Sequence, residues 1–523
     1  MAERHRMSRR SILRGAGLAA SAAMLPGAAA LARAAGQEKE NGPVLRPGQT
    51  RAEFPISDVT RRLAAYMSEA RGRALPEEVL EQAKRHILDT FAAMVSGAEL
   101  PAGRAALAFA RAYGGRPVAT VVADTLLIGP IEAALVNGTM AHADETDDAL
   151  APGPWHPGSA VVPAALALGE QFRISGAHFV RAVVLGYDIG TRVLAAAQMG
   201  PAATHRAPYP LGGVFGAAAA GACAAAFTAD QMRLVLAYSA ESAAGIELFP
   251  RDPDHIEKAY MFSGLQAQGG TTAVLLVQAG WTGVNDILSG PENFLEDLTP
   301  SPKRELLVDQ LGQRYEVTRA VIKRWTVGQP IQAPLDALEA LLERQPIDPS
   351  RVQEIVLRYQ PGSITDNSGA PDINVQHAIA VMLVDKTATF RALHDKARMQ
   401  DPAIVRLRNL VRIVPGQGRG GGVPLLQIVM ADGTRHTQDT VAPGTLGGPT
   451  NPMSRDQVAA KCRDLMAPVL GAAQTRRLID GVFALEKLKD IRELRPLLQA
   501  EARRGAPRLS TYPSAAAPPR REP

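Results

Sequence analysis

The chain of 523 residues has only two cysteines, few aromatic residues and, after residue 35, no apolar run long enough to span a membrane. Cys223 and Cys462 lie far apart, each within a helical pattern, so we expect two buried free thiols instead of a disulfide. Their spacing excludes a cysteine-based metal site. Aromatic residues account for 5% of the chain, whereas alanine is plentiful, and this balance favours closely packed helices over a β-sandwich.

The net charge of +5 comes entirely from the first 35 residues. They contain six arginines and one glutamate, so the rest of the chain is formally neutral and does not favour nucleic acid as a partner. A twin-arginine pattern at Ser8–Arg14 is followed by an Ala/Gly-rich run and a small-residue cleavage motif at Ala30–Ala32. We expect residues 1–35 to be an export signal that directs the protein to the periplasm, with no membrane partner after its removal. The alternative is an N-terminal helix of the first domain.

The periodicity of the chain predicts a mainly α fold, with a large all-helical domain and an inserted, smaller α+β lid domain. Helical patterns recur between short Gly/Pro turns up to about Tyr315, alternating strand patterns then appear, and helical patterns return from Ser454. The hairpin signal Asp432-Gly433 joins the last two strands. The predicted divisions are a signal at 1–35, a linker at 36–53, the helical domain at 54–315 and 450–505, the lid at 316–449 and a disordered tail at 506–523.

Acids and imidazoles are concentrated in the segment 137–170, which reads NGTMAHADETDDALAPGPWHPGSAVVPAALALGE. His142 and Glu145 are three residues apart and would share a helix face, whereas Asp147 and Asp148 lie where that helix should end. His156 follows a Pro/Gly loop and precedes the next helix, whose N-terminus favours an anion. Three interpretations stay open from these residues alone: ion pairing at a helix junction, a metal site made of His, Asp and Glu, or a metal-free acid/base site.

Further segments are candidates for ligand binding. The glycines of Pro208–Gly216 either expose backbone N–H groups to a ligand or only allow close helix packing. Lys258 precedes a glycine-punctuated helix and Lys323 stands beside Arg324; each lysine either holds a carboxylate or lies in solvent. The glycine-rich segment Gly416–Gly422 lies between two strands and is interpreted as a flexible loop, not as a phosphate site.

Taken together, these segments resemble the MmgE/PrpD family, which includes 2-methylcitrate dehydratases and cis-aconitate decarboxylases. The segment quoted above carries the resemblance, and the supporting blocks are LPEEVLEQAKRHILDTFAAMVSG, IKRWTVGQPIQAPLDAL and GGPTNPMSRDQVAAK. The blocks follow the family's order from about Ile56 to Ala502. The resemblance implies a helical domain with an α+β lid inserted late in the chain, a site between the two domains and a homodimer. It also implies small di- and tricarboxylate substrates and a reaction without metal or other cofactor.

The resemblance further implies roles for individual residues. Four residues stand at the family's active-site positions and are expected to be catalytic: Glu145, Asp148, His156 and, after a one-residue shift, Lys258. Four others are expected to bind substrate: His142, Lys323, Gln332 and His377, the last where a lid tyrosine often stands.

Three departures from the family pattern bear on the substrate. The usual threonine after the paired aspartates is Ala149, and a histidine in the region of Ala207 is missing, although His205 is near. The lid-segment histidine is Gln332, whose amide cannot shuttle a proton at neutral pH. Because three decarboxylase-type positions have changed, neither methylcitrate nor cis-aconitate is taken as the expected substrate.

The expected function is that of a lyase, specifically a metal-independent dehydratase acting on a small hydroxy di- or tricarboxylate. Dehydration needs one group to remove a carbon-bound proton and another to assist the leaving hydroxyl. A carboxylate isomerase or epimerase uses the same proton abstraction without a leaving group and is the first alternative. The second alternative is a non-catalytic, exported carboxylate-binding protein, which the changes at Ala149 and Gln332 motivate.

Overall fold

A computed structural model describes residues 55–150, 155–198, 207–246, 251–252, 254–358, 366–415, 425–439 and 445–500. The predicted export signal, the linker at 36–53, the tail at 506–523 and the loop Gly416–Gly422 lie outside these residues. Within the described part of the chain, no helix combines the length and the apolar character needed to cross a membrane.

Helices dominate the described residues, which confirms the predicted mainly α fold with a smaller α+β region. The capping residues follow the sequence signals, since Ser175 and Ser454 each accept a hydrogen bond from a backbone N–H in the first turn of the helix that they precede. The α-helices are Asp58–Glu69, Glu77–Gly97, Pro101–Tyr113, Pro130–Ala141, Pro157–Phe172, Gly176–Ala197, Tyr209–Ala224, Ala229–Glu241, Ile256–Ala259, Leu265–Gln278, Phe294–Leu298, Gln332–Arg344, Val375–Asp385, Phe390–His394, Pro402–Leu410, Arg455–Leu470, Ala472–Phe483 and Arg495–Leu498.

The alanine-rich helix Tyr209–Ala224 lies at the centre of the first hydrophobic core, and nearly every residue in it is buried. Its glycines permit close approach of neighbouring side chains. A Cβ atom on Gly212 would lie 2.8 Å from the ring of Trp155, and one on Gly213 would lie 1.4 Å from Oε1 of Gln266. Of the two interpretations of this glycine segment, the structure supports close helix packing.

A second hydrophobic core surrounds a four-stranded sheet in the order β6-β5-β7-β8. Strand β5 pairs in parallel with β6 and antiparallel with β7, and β7 continues antiparallel into β8. The turn between β7 and β8 contains Gly433 at a φ of +83°, a conformation that favours glycine, which confirms the hairpin predicted there. The strands are Val352–Arg358 (β5), Val411–Val414 (β6), Leu425–Met430 (β7) and Arg435–Gln438 (β8).

The chain leaves the first core and later returns to it. The first core draws its residues from Leu63 to Ile322 and again from Met453 to Leu498, whereas the second core draws them from Trp325 to Met430. Two-stranded pairings lie within the helical part: β1 (Ala119–Thr120) with β2 (Leu127–Ile128), and β3 (Ala149–Leu150) with β4 (Ala320–Val321). Residues 142–150 are called the acid-rich segment here. The second pairing holds the end of this segment against the stretch of chain that leads to Lys323.

Candidate active site at a buried cluster of acids, imidazoles and lysines

The acid-rich segment begins where the helix Pro130–Ala141 ends. His142 has a φ of −115° and a ψ of 29°, which lie outside the helical region. The backbone from here to Leu150 is not helical, and every residue in it is buried. Buried carboxylates are costly unless they are paired, so each acid in this segment must have a partner nearby.

Glu145 is paired with two buried lysines that come from distant parts of the chain. Its Oε1 accepts from Nζ of Lys258, and its Oε2 lies 3.2 Å from Nζ of Lys323. Burial alone would raise the pKa of Glu145, but the two ammonium groups outweigh it and lower the pKa well below its usual range. Burial likewise opposes the charge on Lys323, yet Glu145 and Asp147 raise its pKa above the ordinary lysine value. The cluster is therefore an ionised carboxylate held between two ammonium groups.

Asp147 lies on the other side of Lys323 and faces two imidazoles. Nδ1 of His142 is 3.0 Å from Oδ1 of Asp147, and Nδ1 of His156 is 3.3 Å from the same oxygen. Burial opposes ionisation of Asp147, but the two imidazoles lower its pKa well below the usual range. Burial lowers the pKa of His142, so that ring is neutral at neutral pH. A carboxylate that orients a neutral imidazole is a frequent arrangement at acid/base sites.

The segment that carries Lys258 has an irregular backbone on both sides of the lysine. His255 has a φ of +60°, and Oδ2 of Asp252 accepts from the backbone N–H of Lys258 at 2.9 Å. A π-helix, Tyr260–Gly264, follows and brings Phe262 under the ring of His142, with centroids 4.9 Å apart and planes 6° from parallel. Single π-helical turns are frequent at functional sites because they reposition side chains.

Asp148 does not face the lysines. Its Oδ2 is 2.6 Å from both Nδ1 of His86 and the hydroxyl of Tyr187, and its Oδ1 accepts from the backbone N–H of Gly158 at 2.8 Å. Gly158 lies in the first turn of the helix Pro157–Phe172, where an acid is electrostatically favoured. The carboxylate of Asp148 thus fixes the start of the helix that follows His156.

Gln332, one of the three lid residues expected to bind substrate, is hydrogen-bonded within its own segment. Its side-chain amide donates to the carbonyls of Trp325 and Val327, and its Oε1 accepts from the N–H of Trp325. These three bonds brace the turn that follows Lys323.

His377 lies in the first turn of the helix Val375–Asp385 in the lid and is fully buried. Neither ring nitrogen has a hydrogen-bond partner among the described residues. Burial, with a contribution from Arg408, lowers the pKa of His377 to about 4. None of the contacts described for its ring reaches Glu145 or Lys258.

Several site residues have no sequence signal that would have identified them. His394 of the lid places Nε2 2.7 Å from Oδ2 of Asp144, two residues after His142. Lys461, in the closing helix Arg455–Leu470, donates to Asp89 at 2.6 Å and to the carbonyl of Thr146 at 3.0 Å. These partners are hundreds of residues apart in the chain, so only the folded structure relates them.

The cluster also contains combinations of groups that metal ions use. One atom each from His142, Asp147 and His156, and one each from His142, Glu145 and His255, lie within 4.8 Å of one another. However, the two lysines already neutralise these carboxylates, and Nζ of Lys323 is only 3.8 Å from Oδ1 of Asp147. A divalent cation would be repelled by both ammonium groups, so the electrostatics disfavour a metal ion here.

Of the cavities in the described part of the chain, two bear on the choice of ligand. A cavity of about 820 Å³ is lined by Glu241, Glu292, Glu296 and Asp297, whose negative charges disfavour a carboxylate ligand. A smaller cleft of about 50 Å³ lies between the two cores, beside Asp144 and His255. The smaller cleft is the one that adjoins the lysine cluster.

A helical body, a second core around a small sheet and a buried carboxylate held by two lysines define a mainly α protein with two cores and a buried acid–lysine site. Family profiles agree with this class: the MmgE/PrpD N-terminal domain matches residues 61–307 and the MmgE/PrpD C-terminal domain matches residues 325–486. The chain belongs to the MmgE/PrpD family.

Curated relatives are similar to the chain over most of their length. A cis-aconitate decarboxylase of Aspergillus terreus is 25% identical, covering 84% of this chain and 96% of the relative. The cis-aconitate decarboxylase-like protein oryM of Aspergillus oryzae is 24% identical, covering 86% of this chain and 98% of the relative. A cis-aconitate decarboxylase of Homo sapiens is also 24% identical, covering 85% of this chain and 95% of the relative.

Proposed function

We propose that this chain is a lyase acting on small carboxylates, and more specifically a dehydratase of a hydroxy di- or tricarboxylate that uses no metal. The observation that carries the proposal is the pair of buried ammonium groups of Lys258 and Lys323, which share one carboxylate, that of Glu145. Buried ammonium groups beside a cleft between two cores favour a substrate carboxylate and stabilise negative charge that develops next to it.

The proposed chemistry is a β-elimination. A base removes the proton from the carbon next to the substrate carboxylate, and the resulting charge spreads onto carboxylate oxygens held by the two lysines. The C–O bond then breaks, the C=C bond forms, and the hydroxyl leaves as water after receiving a proton. His156 is our candidate for the proton transfer, because it is partly exposed (10%) and faces the ionised carboxylate of Asp147.

Glu145 serves a different role in this proposal. Because its pKa is held well below the usual range, it is ionised at neutral pH and is a poor proton donor. It keeps the two ammonium groups close together until substrate arrives. Asp148, engaged by His86, Tyr187 and Gly158, acts as a positioning residue for the helix that starts after His156.

Two other reactions fit the same cluster. The relatives named cis-aconitate decarboxylase suggest decarboxylation, in which a C–C bond breaks and CO₂ leaves instead of water. An isomerase or epimerase would return the proton to carbon without losing a group.

A panel of hydroxy-acids and unsaturated acids tests the proposal. Purified protein is incubated with malate, citrate, isocitrate and cis-aconitate in D₂O, and the products are followed by NMR and by CO₂ release. We expect an unsaturated acid from a hydroxylated member and no CO₂. Deuterium in recovered substrate without elimination would favour the isomerase, and CO₂ would favour the decarboxylase. Tight binding without deuterium exchange and without product would contradict the lyase proposal. It would favour a carboxylate-binding protein without catalytic activity.

A further inference from the structure

The small cleft between the two cores has a polar lining that the proposed elimination does not use. Asp144, Asp254 and His255 line it from the helical part, and Asp372, His394 and Lys396 line it from the lid. Its volume is about 50 Å³, which accommodates roughly one or two groups of the size of a water molecule.

Buried polar atoms in this lining have unused hydrogen-bonding capacity. Among the described residues, Nε2 of His255 and Oδ2 of Asp372 have no hydrogen-bond partner, although both side chains are more than nine-tenths buried. The two side chains face each other at 3.8 Å between Nδ1 and Oδ2, too far for a direct hydrogen bond. A buried polar atom without a partner is destabilising, so a small hydrogen-bonding group that reaches Oδ2 of Asp372 from the side of His255 is favoured.

His255 belongs to the lining of the cleft and also lies beside the lysine cluster. One nitrogen of His255 lies within 4.8 Å of a nitrogen of His142 and an oxygen of Glu145. The ring centroids of His142 and His255 are 5.3 Å apart. Asp144 directly precedes Glu145 in the chain. A substrate held by Lys258 and Lys323 therefore brings its next carbon atoms to the mouth of this cleft.

The charges of the cleft select the kind of group that it takes. Asp144 and Asp372 are buried acids, and Asp254 adds a third carboxylate at the rim. Cations of the lining are paired with two of these acids: Lys396 is 2.8 Å from Asp254, and Nε2 of His394 is 2.7 Å from Oδ2 of Asp144. Burial opposes the charge on His394, but Asp144 raises its pKa above the ordinary histidine value. A second carboxylate would be repelled, whereas a hydroxyl can donate to a carboxylate and accept from an imidazole.

We propose, on the basis of the function proposed above, that His255 and Asp372 form a hydroxyl-binding subsite, assembled across the two cores, that selects hydroxylated acids over their deoxy analogues. Sites built to bind a hydroxyl reject the analogue that lacks it, because their own buried polar groups are then left unpaired. The subsite sets the substrate class as a hydroxy-acid with its hydroxyl close to the carboxylate that the lysines hold.

Calorimetric binding of matched acid pairs tests the subsite: malate against succinate, and citrate against tricarballylate, each pair differing by one hydroxyl. We expect wild-type protein to bind the hydroxylated member of at least one pair about tenfold more tightly or better. Asp372→Leu should lose this preference while keeping its affinity for the deoxy acid. Asp372→Asn, which is safer for folding, should reduce the preference severalfold, and Glu343→Gln on the exposed surface of the lid should leave it unchanged.

The outcomes separate the subsite from the proposed function. Equal affinities within both pairs for wild-type protein would overturn the subsite and leave the carboxylate site intact. A preference that survives unchanged in both Asp372 variants would also overturn it. Failure of all four acids to bind would overturn the proposed carboxylate function and the subsite with it.

Discussion

Nζ of Lys323 lies 2.9 Å from the backbone carbonyl of Glu145 and 3.2 Å from Oε2 of the same residue. One buried ammonium group thus binds both the main chain and the side chain of the residue that it neutralises. The position of this charge therefore depends on the backbone of the acid-rich segment as well as on its carboxylate.

Glu145→Gln tests whether this carboxylate holds the cluster together. The change leaves the ammonium groups of Lys258 and Lys323 buried without their shared counter-ion, so we expect the free energy of unfolding to fall by about 3 kcal/mol or more. Urea unfolding measures the loss, with Glu99→Gln on the exposed surface as the matched control. Succinate should restore more stability to Glu145→Gln than to wild-type protein, because its carboxylate replaces the missing one. Equal stability of the two proteins would contradict this account of the cluster.

Lys323→Met tests whether the lysine cluster binds the carboxylate of a ligand. Removing this ammonium group should weaken the binding of succinate or malate at least about tenfold, since a buried charge-assisted hydrogen bond is lost. Lys303→Met removes an exposed lysine and should bind both acids as wild-type protein does. Undiminished affinity of Lys323→Met in calorimetry would show that the acids bind elsewhere.

Asp148→Asn separates positioning from catalysis at the paired aspartates. The amide keeps an oxygen for the N–H of Gly158 but presents an NH₂ group to the donors on His86 and Tyr187. We expect a loss of about 2–4 kcal/mol in the free energy of unfolding and retained affinity for carboxylates. Thermal melts and calorimetry on one preparation give both values. A stable variant that binds acids but turns none over would instead make Asp148 a direct participant in the reaction.

Asp188 makes the free energy of unfolding depend on pH, and comparison with Asp188→Asn isolates its contribution. Burial raises its pKa from 3.8 to about 6, although Tyr66 and the N–H of Glu316 hydrogen-bond to it. Between these two values the folded protein holds a proton that the unfolded chain has released, so stability falls as the pH rises from about 4 to about 6. Relative to Asp188→Asn, wild-type protein should lose up to about 3 kcal/mol across this window. Urea titrations at four pH values check this, and parallel curves for the two proteins would refute it.

Exhaustive dialysis against EDTA tests the metal-free character of the cluster. Because Lys258 and Lys323 already neutralise its carboxylates, we expect ligand affinity and melting temperature to be unchanged by chelation. Elemental analysis of protein purified without chelator provides the second measurement. A stoichiometric transition metal whose removal lowers affinity would show that His142, Asp147 and His156 act as ligands.

Much of the fold could be predicted because its signals are local. Helical periodicity and the turn at Gly433 depend on neighbouring residues, and the segment from His142 to His156 carries its acids within a few turns of chain. The orientation of adjacent acids could not be predicted in the same way. Asp147 faces His142 and His156 while Asp148 faces His86, because the helix ends at Ala141 and the backbone that follows has no regular period.

Contacts between residues that are distant in the chain could not be predicted from the sequence. The pairing of Asp144 with His394 joins residues of different cores, and nothing near either residue specifies the other. Gln332 stands where the family pattern has a histidine, and the sequence alone could not show that its amide braces the turn after Lys323. Both cases depend on packing between segments that are distant in the chain.

The contacts of Lys461 have a consequence for the order in which the protein matures during synthesis. Its ammonium group bonds the carbonyl of Thr146 and the carboxylate of Asp89, both of which are translated more than 300 residues earlier. A nascent chain that has not yet exposed the helix Arg455–Leu470 lacks this support, however well its first helices have packed. The contacts that support the acid-rich segment are therefore completed only near the end of translation. An incomplete chain released from the ribosome would carry this segment without the ammonium group of Lys461.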